Sequence, residues 1–163
     1  EKYIMKHKQI MAFLFAAVLL TGCGSSSKEV KKETKTCTTE YQGMRMSMKM
    51  NAEDDVIKTM DIQYLYSEEM LGFDASKVDK DQLKVMEDTV MTQLGLSGDE
   101  EGVKATVKVD GTGMKMDIHV DLMKADSKVL NKFSITGNTK NVKLSETVEN
   151  AEKGQEGIKF TCK

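Results

Sequence analysis

Three cysteines carry the clearest chemistry in this chain of 163 residues. The first, Cys23, closes the segment Leu20-Thr-Gly-Cys23 and follows an apolar run over residues 10–20 that stands behind a short basic patch. An apolar run of this length is too short to span a bilayer and is typical of a secretory signal. Small residues before a cysteine fit a lipoprotein signal peptidase, whose substrate carries a diacylglycerol thioether on that thiol. We therefore expect a lipoprotein signal peptide at residues 1–22 and a lipid on Cys23; an ordinary secretory peptide or a buried helix is the alternative.

The sequence after Cys23 predicts how the protein is held at the cell envelope. Small and charged side chains with almost no apolar ones cannot repay the entropy of ordering, which predicts a flexible tether over residues 23–35. Met5 is the expected initiator. Without residues 1–22 the chain is mildly acidic and has no polybasic surface for anionic lipid, so two or three acyl chains must hold it to the membrane. We expect an extracytoplasmic protein, anchored to the cell membrane, whose single domain covers residues 36–163.

The other two cysteines, Cys37 and Cys162, stand at the two edges of that domain. Export places both in a compartment where disulfides persist. We predict a disulfide that joins the first and last strands and contributes about 4 to 5 kcal/mol in the chain-entropy model. A redox pair usually has its cysteines close together as CxxC, and a zinc site needs four ligands with local spacing, so both alternatives fit less well.

A row of methionines is the unusual feature of a chain that contains 13 of them. Alternation with polar residues places four thioethers on one face of a strand: Met44, Met46, Met48 and Met50. Thioethers bind Cu(I), but flexible methionines also fill irregular cores. An exposed row would form an apolar patch of roughly a few hundred Å², which monomers rarely leave uncovered. We expect the row in the core, beneath a helix that carries Leu83, Met86, Val90 and Leu94; a copper site and a methionine-lined groove for an apolar ligand are the alternatives.

Residues for catalysis are sparse. Nucleophilic catalysis needs a base beside a nucleophile, and His119 is the only histidine after the signal. It alternates with the apolar Ile118 and Val120, which places it on the solvent face of its strand. The carboxylate clusters at residues 53–55 and 99–101 lack the ligand spacing of an EF-hand loop and are expected as solvated turns. Sequence motifs for phosphate binding or for hydrolases do not occur. We expect no catalytic residue, no resident metal and no cofactor.

Hydrophobic periodicity divides the domain into strands and helices. Turns are predicted at Gln42-Gly43 and at Asp110-Gly111-Thr112-Gly113. The strand after residues 53–55 is expected to place Val56 on its buried side, together with Met60. The predicted strands cover residues 36–41, 44–50, 56–66, 103–109, 114–122 and 158–162. The predicted helices cover residues 79–94, 126–133 and 144–154.

One-sided strands and one-sided helices together predict an α+β fold: a two-layer sandwich with a mainly antiparallel sheet and helices packed on one face. A net charge of -2 and a pI near 5.8 argue against nucleic acid as a partner. The absence of Trp and the few Phe and Tyr residues argue against aromatic cages.

Several short segments of the domain form a recognisable set: Cys37, Tyr64-Leu-Tyr-Ser, Val120-Asp-Leu-Met-Lys-Ala-Asp, Leu130-Asn-Lys, Gly137-Asn, residues 145–148 and Phe160-Thr-Cys-Lys163. Together they resemble the DUF1307, or YehR-like, family of small bacterial lipoproteins. The resemblance covers most of residues 36–163. It implies a two-layer α/β sandwich behind a lipobox and no defined activity. The methionine row and the scarcity of aromatic residues depart from it.

The sequence therefore predicts a membrane-tethered surface lipoprotein with a non-enzymatic binding domain. Its partners are the membrane, through the lipid on Cys23, and an undefined small ligand or envelope protein. The alternative is a carrier of a soft metal or an apolar ligand through the methionine row. A purely structural or inhibitory envelope protein comes third.

Overall fold

The computed structural model describes residues 29–155 and 157–163. The predicted signal peptide, residues 1–22, and the predicted lipid site Cys23 lie outside this part of the chain. The described residues form an α+β fold with an open six-stranded antiparallel sheet. Within them, none of the helices combines the length and the apolar character that crossing a bilayer requires.

The sheet places the chain's strands in the order β4-β5-β3-β2-β1-β6. Each hairpin of consecutive strands is closed by a tight turn. At Gln42 and Gly43, backbone φ angles of 51° and 80° match the twist of a two-residue hairpin. The strands are β1 (Lys32–Tyr41), β2 (Met44–Glu53), β3 (Val56–Tyr66), β4 (Val103–Asp110), β5 (Gly113–Asp121) and β6 (Thr161–Cys162).

The helices begin where side chains can accept the free backbone N–H groups of a first turn. Asp79 forms a capping box with Gln82, and Asp126 accepts the N–H of Lys128. The four α-helices of the described residues are α1 (Glu68–Leu71), α2 (Lys80–Gln93), α3 (Ser127–Lys132) and α4 (Leu144–Lys153). A short 3-10 helix covers Ala75–Lys77. The sequence predicted α2, α3 and α4, but not α1 or the 3-10 helix, which have too few residues to show a period.

The methionine row lies in the core, as predicted. Met46, Met48 and Met50 are fully buried and Met44 is nearly so. On the same face, Met48 pairs with Ile62 of β3, and Met50 with Met60. The core is completed by residues beyond the sheet, among them Leu130, Phe133, Ile135, Leu144 and Ala151.

The prediction that helix α2 covers this methionine row is wrong. Helix α2 packs mainly on β4 at the opposite edge of the sheet, because only residues 94–102 connect it to that strand. None of the α2 residues is fully buried, and Val85 is 64% exposed. Helix α4 instead packs beside β1, the strand next to β2, and beside β6, which pairs with the other side of β1.

Three details of the strands also differ from the prediction. Strand β1 begins at Lys32 rather than Thr36, since β2 continues to Glu53 and supplies partners for the added residues. The register between β2 and β3 shifts at Asn51/Ala52, and this shift reverses which side the first residues of β3 face. Ile57 rather than Val56 is therefore fully buried. The last strand keeps only two residues, although Ile158 and Phe160 before it are buried.

Candidate functional site

The face of the sheet opposite the methionines is polar. Alternation along each strand places charged and hydroxyl side chains there because the neighbouring positions are buried. Three rows cross β4, β5, β3 and β2 in that order: Lys104, His119, Asp61 and Lys49; Thr106, Asp117, Gln63 and Ser47; and Lys108, Lys115, Leu65 and Arg45. We call these twelve residues the polar sheet face. A shallow groove of about 520 Å³ runs over its first two rows and reaches Thr36 of β1.

Cations outnumber carboxylates on the polar sheet face, although the whole chain has a net charge of -2. Two of the cations have carboxylate partners: Lys115 Nζ lies 3.9 Å from Asp117, and Arg45 lies 3.6 Å from Glu40 at the rim. Within residues 29–155 and 157–163, the other three cations form no ion pair; they are Lys49, Lys104 and Lys108. These three ammonium groups line the groove and are available to an anion.

Two like charges also lie directly opposite each other on neighbouring strands. Lys108 of β4 is the register partner of Lys115 of β5. Like charges directly opposite on an antiparallel pair destabilise it. Asp117 offsets the charge of Lys115 in part, but not that of Lys108. This end of the groove therefore has an excess of positive charge that a bound anion would relieve.

His119 has a partner that the sequence did not indicate. Its Nδ1 atom lies 2.6 Å from a carboxylate oxygen of Asp61 on the neighbouring strand. The prediction that His119 lies on the solvent face is confirmed, since its side chain is 48% exposed. The partner was missed because Asp61 lies 58 residues away and meets His119 only through the β3–β5 register. The available signal was that Asp61 and His119 both alternate with buried residues on predicted antiparallel strands, which places them on the same face of the sheet.

The Asp61–His119 pair is half of an acid–base arrangement. A carboxylate on Nδ1 orients the ring and leaves Nε2 free to exchange a proton. In the described chain, no serine, threonine or cysteine side chain forms a hydrogen bond with His119. The groove therefore holds an oriented base without a nucleophile beside it.

The centre of the groove is lined by fixed hydrogen-bonding groups. Gln63 donates from Nε2 to Asp117 Oδ1 at 2.9 Å, which holds both side chains in the sheet register. The hydroxyls of Ser47 and Thr106 lie in the same row. Lysines thus surround a floor of carboxylate, amide and hydroxyl groups.

The structure joins Cys37 and Cys162 in a disulfide with their Cα atoms 4.0 Å apart. They are register partners on β1 and β6, and Thr36 and Lys163 exchange backbone hydrogen bonds of 2.9 Å beside them. Cys37 is fully buried and Cys162 is half-buried against the core.

The two carboxylate clusters bind backbone rather than solvent alone. Asp55 accepts the N–H and the hydroxyl of Ser145, each at 2.8 Å, and so caps helix α4 from a distant turn. Glu100 accepts the N–H groups of Ser97 and Gly98 at 2.6 and 2.9 Å. These bonds, that of Ser97 first, lower the pKa of Glu100 to about 2. Among the described residues, no cluster of His, Cys, Asp and Glu has the geometry to hold a metal ion.

A second groove, of about 280 Å³, lies between α2 and the strands β4 and β5. It is apolar, and its methionines are not those of the predicted row. The groove is lined by Tyr66, Phe73, Met86, Val90, Met114 and Met116, among others.

Solved structures with the same fold are known. The NMR structure of Escherichia coli YehR matches with a TM-score of 0.57 and 14% identity, over 82% of this chain and 94% of that one. An NMR structure of a protein from Streptococcus pneumoniae TIGR4 matches with a TM-score of 0.50 and 15% identity, over 91% and 94%. No protein-family model and no curated protein matches the sequence. At these identities the likeness shows a YehR-like fold.

Proposed function

We propose that this chain is a membrane-anchored envelope lipoprotein whose domain binds its partner through the polar sheet face without catalysing a reaction. The observation that carries the proposal is the set of cations in the groove with no ion-pair partner among the described residues, Lys49, Lys104 and Lys108. We infer that the helices cover the apolar face alone, since α1, α2 and α4 contact the sheet and the core holds Leu144 and Ala151. The polar sheet face is then free for a partner.

We also infer that the chain belongs to the DUF1307, or YehR-like, family. The YehR-like fold over 82% of the chain supports this, together with the short sequence segments and the segment ending at Cys23. Membership would bring a lipoprotein context but no activity. The proposed role therefore rests on the polar sheet face.

The anchor is the lipid on Cys23, and it places the domain outside the cytoplasm. The first strand begins at Lys32, so few residues separate the lipid from the sheet. A disulfide between Cys37 and Cys162 suits an exported protein, because such bridges persist in oxidising compartments.

Catalysis is not proposed, because His119 has an orienting carboxylate but no nucleophile in hydrogen-bond contact within the described chain. The soft-metal alternative also loses its basis. A carrier must expose its ligands, whereas Met46, Met48 and Met50 are fully buried. An apolar ligand would instead contact thioethers in the groove beside α2.

The anchor is tested by replacing Cys23→Ser in the full chain, with Ser26→Ala as the matched control. We expect the control to stay in the membrane fraction and to carry a lipid mass on its N-terminal residue. The Cys23→Ser protein should lack that mass and leave the mature membrane pool. Membrane retention of both variants, with no lipid on either, would contradict the anchor.

The binding face is tested by labelling lysines with an amine reagent that does not cross membranes. We expect Lys49, Lys104 and Lys108 to react less on intact cells than in the purified protein, because a partner covers them. Lys84 and Lys128 lie on helices away from this face and serve as controls. Equal reactivity of all five lysines in both settings would refute a partner at this face.

A further inference from the structure

We propose that the polar sheet face binds an acidic saccharide, a chain of sugar units that carry carboxylate, phosphate or sulfate groups. This inference rests on the proposed function, in which this face is the binding surface. It follows from two features that one ligand must satisfy together: separated cations at the rim and hydrogen-bonding groups on the floor.

The spacing of the cations indicates an extended ligand. Lys104 and Lys108 stand four residues apart on β4, or about 13 Å at 3.3 Å per residue. Lys49 stands on β2, three strands away, or about 14 Å at the usual strand separation. A single small anion does not span such distances. Negative groups repeated along a chain match them.

The floor indicates hydroxyl groups on the ligand. Asp61 and Asp117 lie among the lysines, where they would repel a ligand made only of phosphates. Asp61 holds His119 with one oxygen and keeps the other as an acceptor. With the hydroxyls of Ser47 and Thr106 beside them, these carboxylates suit the donors of a sugar ring.

The charge arrangement favours this ligand over a lipid surface. The strand end that leads to Cys23 carries acidic turn residues, Glu53, Asp54 and Asp55. Glu53 lies 4.0 Å from Lys32, so this end offers no excess of cations to an anionic membrane, whereas the opposed Lys108 and Lys115 lie towards the other end of the sheet. The face also lacks the large apolar side chains that insert between lipids, since Leu65 is its only one among the rows described above.

The test measures binding to the mature protein with four probes. They are an oligogalacturonate, a neutral oligoglucose of equal length, a linear polyphosphate, and vesicles containing anionic phospholipid. We expect the oligogalacturonate to bind more tightly than each of the others. The paired variant Lys104→Gln with Lys108→Gln should weaken this binding by about tenfold or more, because two charge-assisted contacts are lost. The control pair Lys84→Gln with Lys128→Gln removes the same charge from the helices and should bind as wild type.

A change on the floor separates recognition of hydroxyls from simple charge attraction. We expect Asp117→Asn to lower affinity for oligogalacturonate and to raise it for polyphosphate, because a repelling charge is removed. Polyphosphate binding as tight as oligogalacturonate binding, or lysine-dependent binding to vesicles, would overturn the saccharide assignment. If no probe binds while Cys23 still anchors the protein and the face is protected on cells, the ligand class is wrong and the proposed function stands.

Discussion

At the level of single residues, charged groups that resemble ligand sites serve the backbone. Glu100 belongs to an acidic cluster, yet its carboxylate closes its own loop by accepting the N–H groups of Ser97 and Gly98. Asp55 does the same for the start of helix α4. In both cases the carboxylate takes the place of a backbone acceptor that the helix or the loop lacks. Such contacts leave little of the carboxylate for a metal.

The role of Glu100 predicts a pH-dependent variant. Its pKa is about 2 in the folded protein, below the ordinary 4.5, so its contribution to stability is complete above the ordinary value and is lost as pH falls towards 2. Glu100→Gln should therefore unfold at lower urea concentration than wild type near neutral pH, and the difference should shrink below pH 4.5. The neighbouring Glu101→Gln is the control and should match wild type throughout. A gap for Glu100→Gln that is constant with pH would contradict this role.

The hydroxyl of Tyr64 predicts a substitution without penalty. The side chain is buried, its hydroxyl has no hydrogen-bond partner among the described residues, and burial raises its pKa. Because an unpaired buried hydroxyl costs free energy, Tyr64→Phe should keep or raise the melting temperature. Tyr41→Phe is the control for the loss of a phenol whose hydroxyl has a partner, since the half-buried Tyr41 accepts a hydrogen bond from Gln42 Nε2 at 3.2 Å. A clear drop in melting temperature for Tyr64→Phe alone would show that this hydroxyl has a partner in solution.

At the level of elements, local sequence patterns predict where the strands and helices lie better than they predict how these elements pack against one another. The turn at Gln42-Gly43, the Asp79 cap and the alternation of β2 are contained in a few neighbouring residues. The position of α2 over β4, the register shift at Asn51/Ala52 and the capping of α4 by Asp55 depend on residues far apart in sequence. Periodicity carries no information about such contacts.

The packing of the elements predicts that alanine substitution of two apolar residues, Met48 and Leu83, lowers stability to unequal extents. Met48 is fully buried, so Met48→Ala should lower the free energy of unfolding by about 2 to 5 kcal/mol. Leu83 lies on α2, a helix with no fully buried residue, so Leu83→Ala should cost clearly less. Urea denaturation measures both. Equal losses would mean that α2 is packed as tightly as the sheet.

The candidate site could be predicted only in part. The sequence indicated the polar side of each strand, and with it the exposure of His119. It did not indicate the strand order, which brings Lys104, Asp61 and Lys49 into one row. A charge excess on one face of a mildly acidic chain becomes visible only when that order is known.

At the level of the whole molecule, the disulfide joins the two ends of the fold. Cys37 and Cys162 are 125 residues apart in sequence, so their bridge restricts nearly the whole unfolded domain. Its loss should cost up to about 4 to 5 kcal/mol in the chain-entropy model. We expect the mature protein to show no free thiol before reduction and a lower melting temperature after it. Two free thiols in the native oxidised protein would contradict the bridge.

The pairing of β1 with β2 also determines how the domain resists a mechanical pulling force. All ten residues of β1 pair with β2, and the end of the chain that leads to Cys23 enters at Lys32. The bonds of an antiparallel ladder lie across the strands, so a pull along β1 shears every pair at once instead of opening them one by one. In single-molecule stretching, a handle before Lys32 should therefore require more force to detach β1 along the strand axis than across it. If a ligand on the polar sheet face pulls against the proposed lipid on Cys23, the load falls along the direction in which the pairing of β1 with β2 is mechanically strongest.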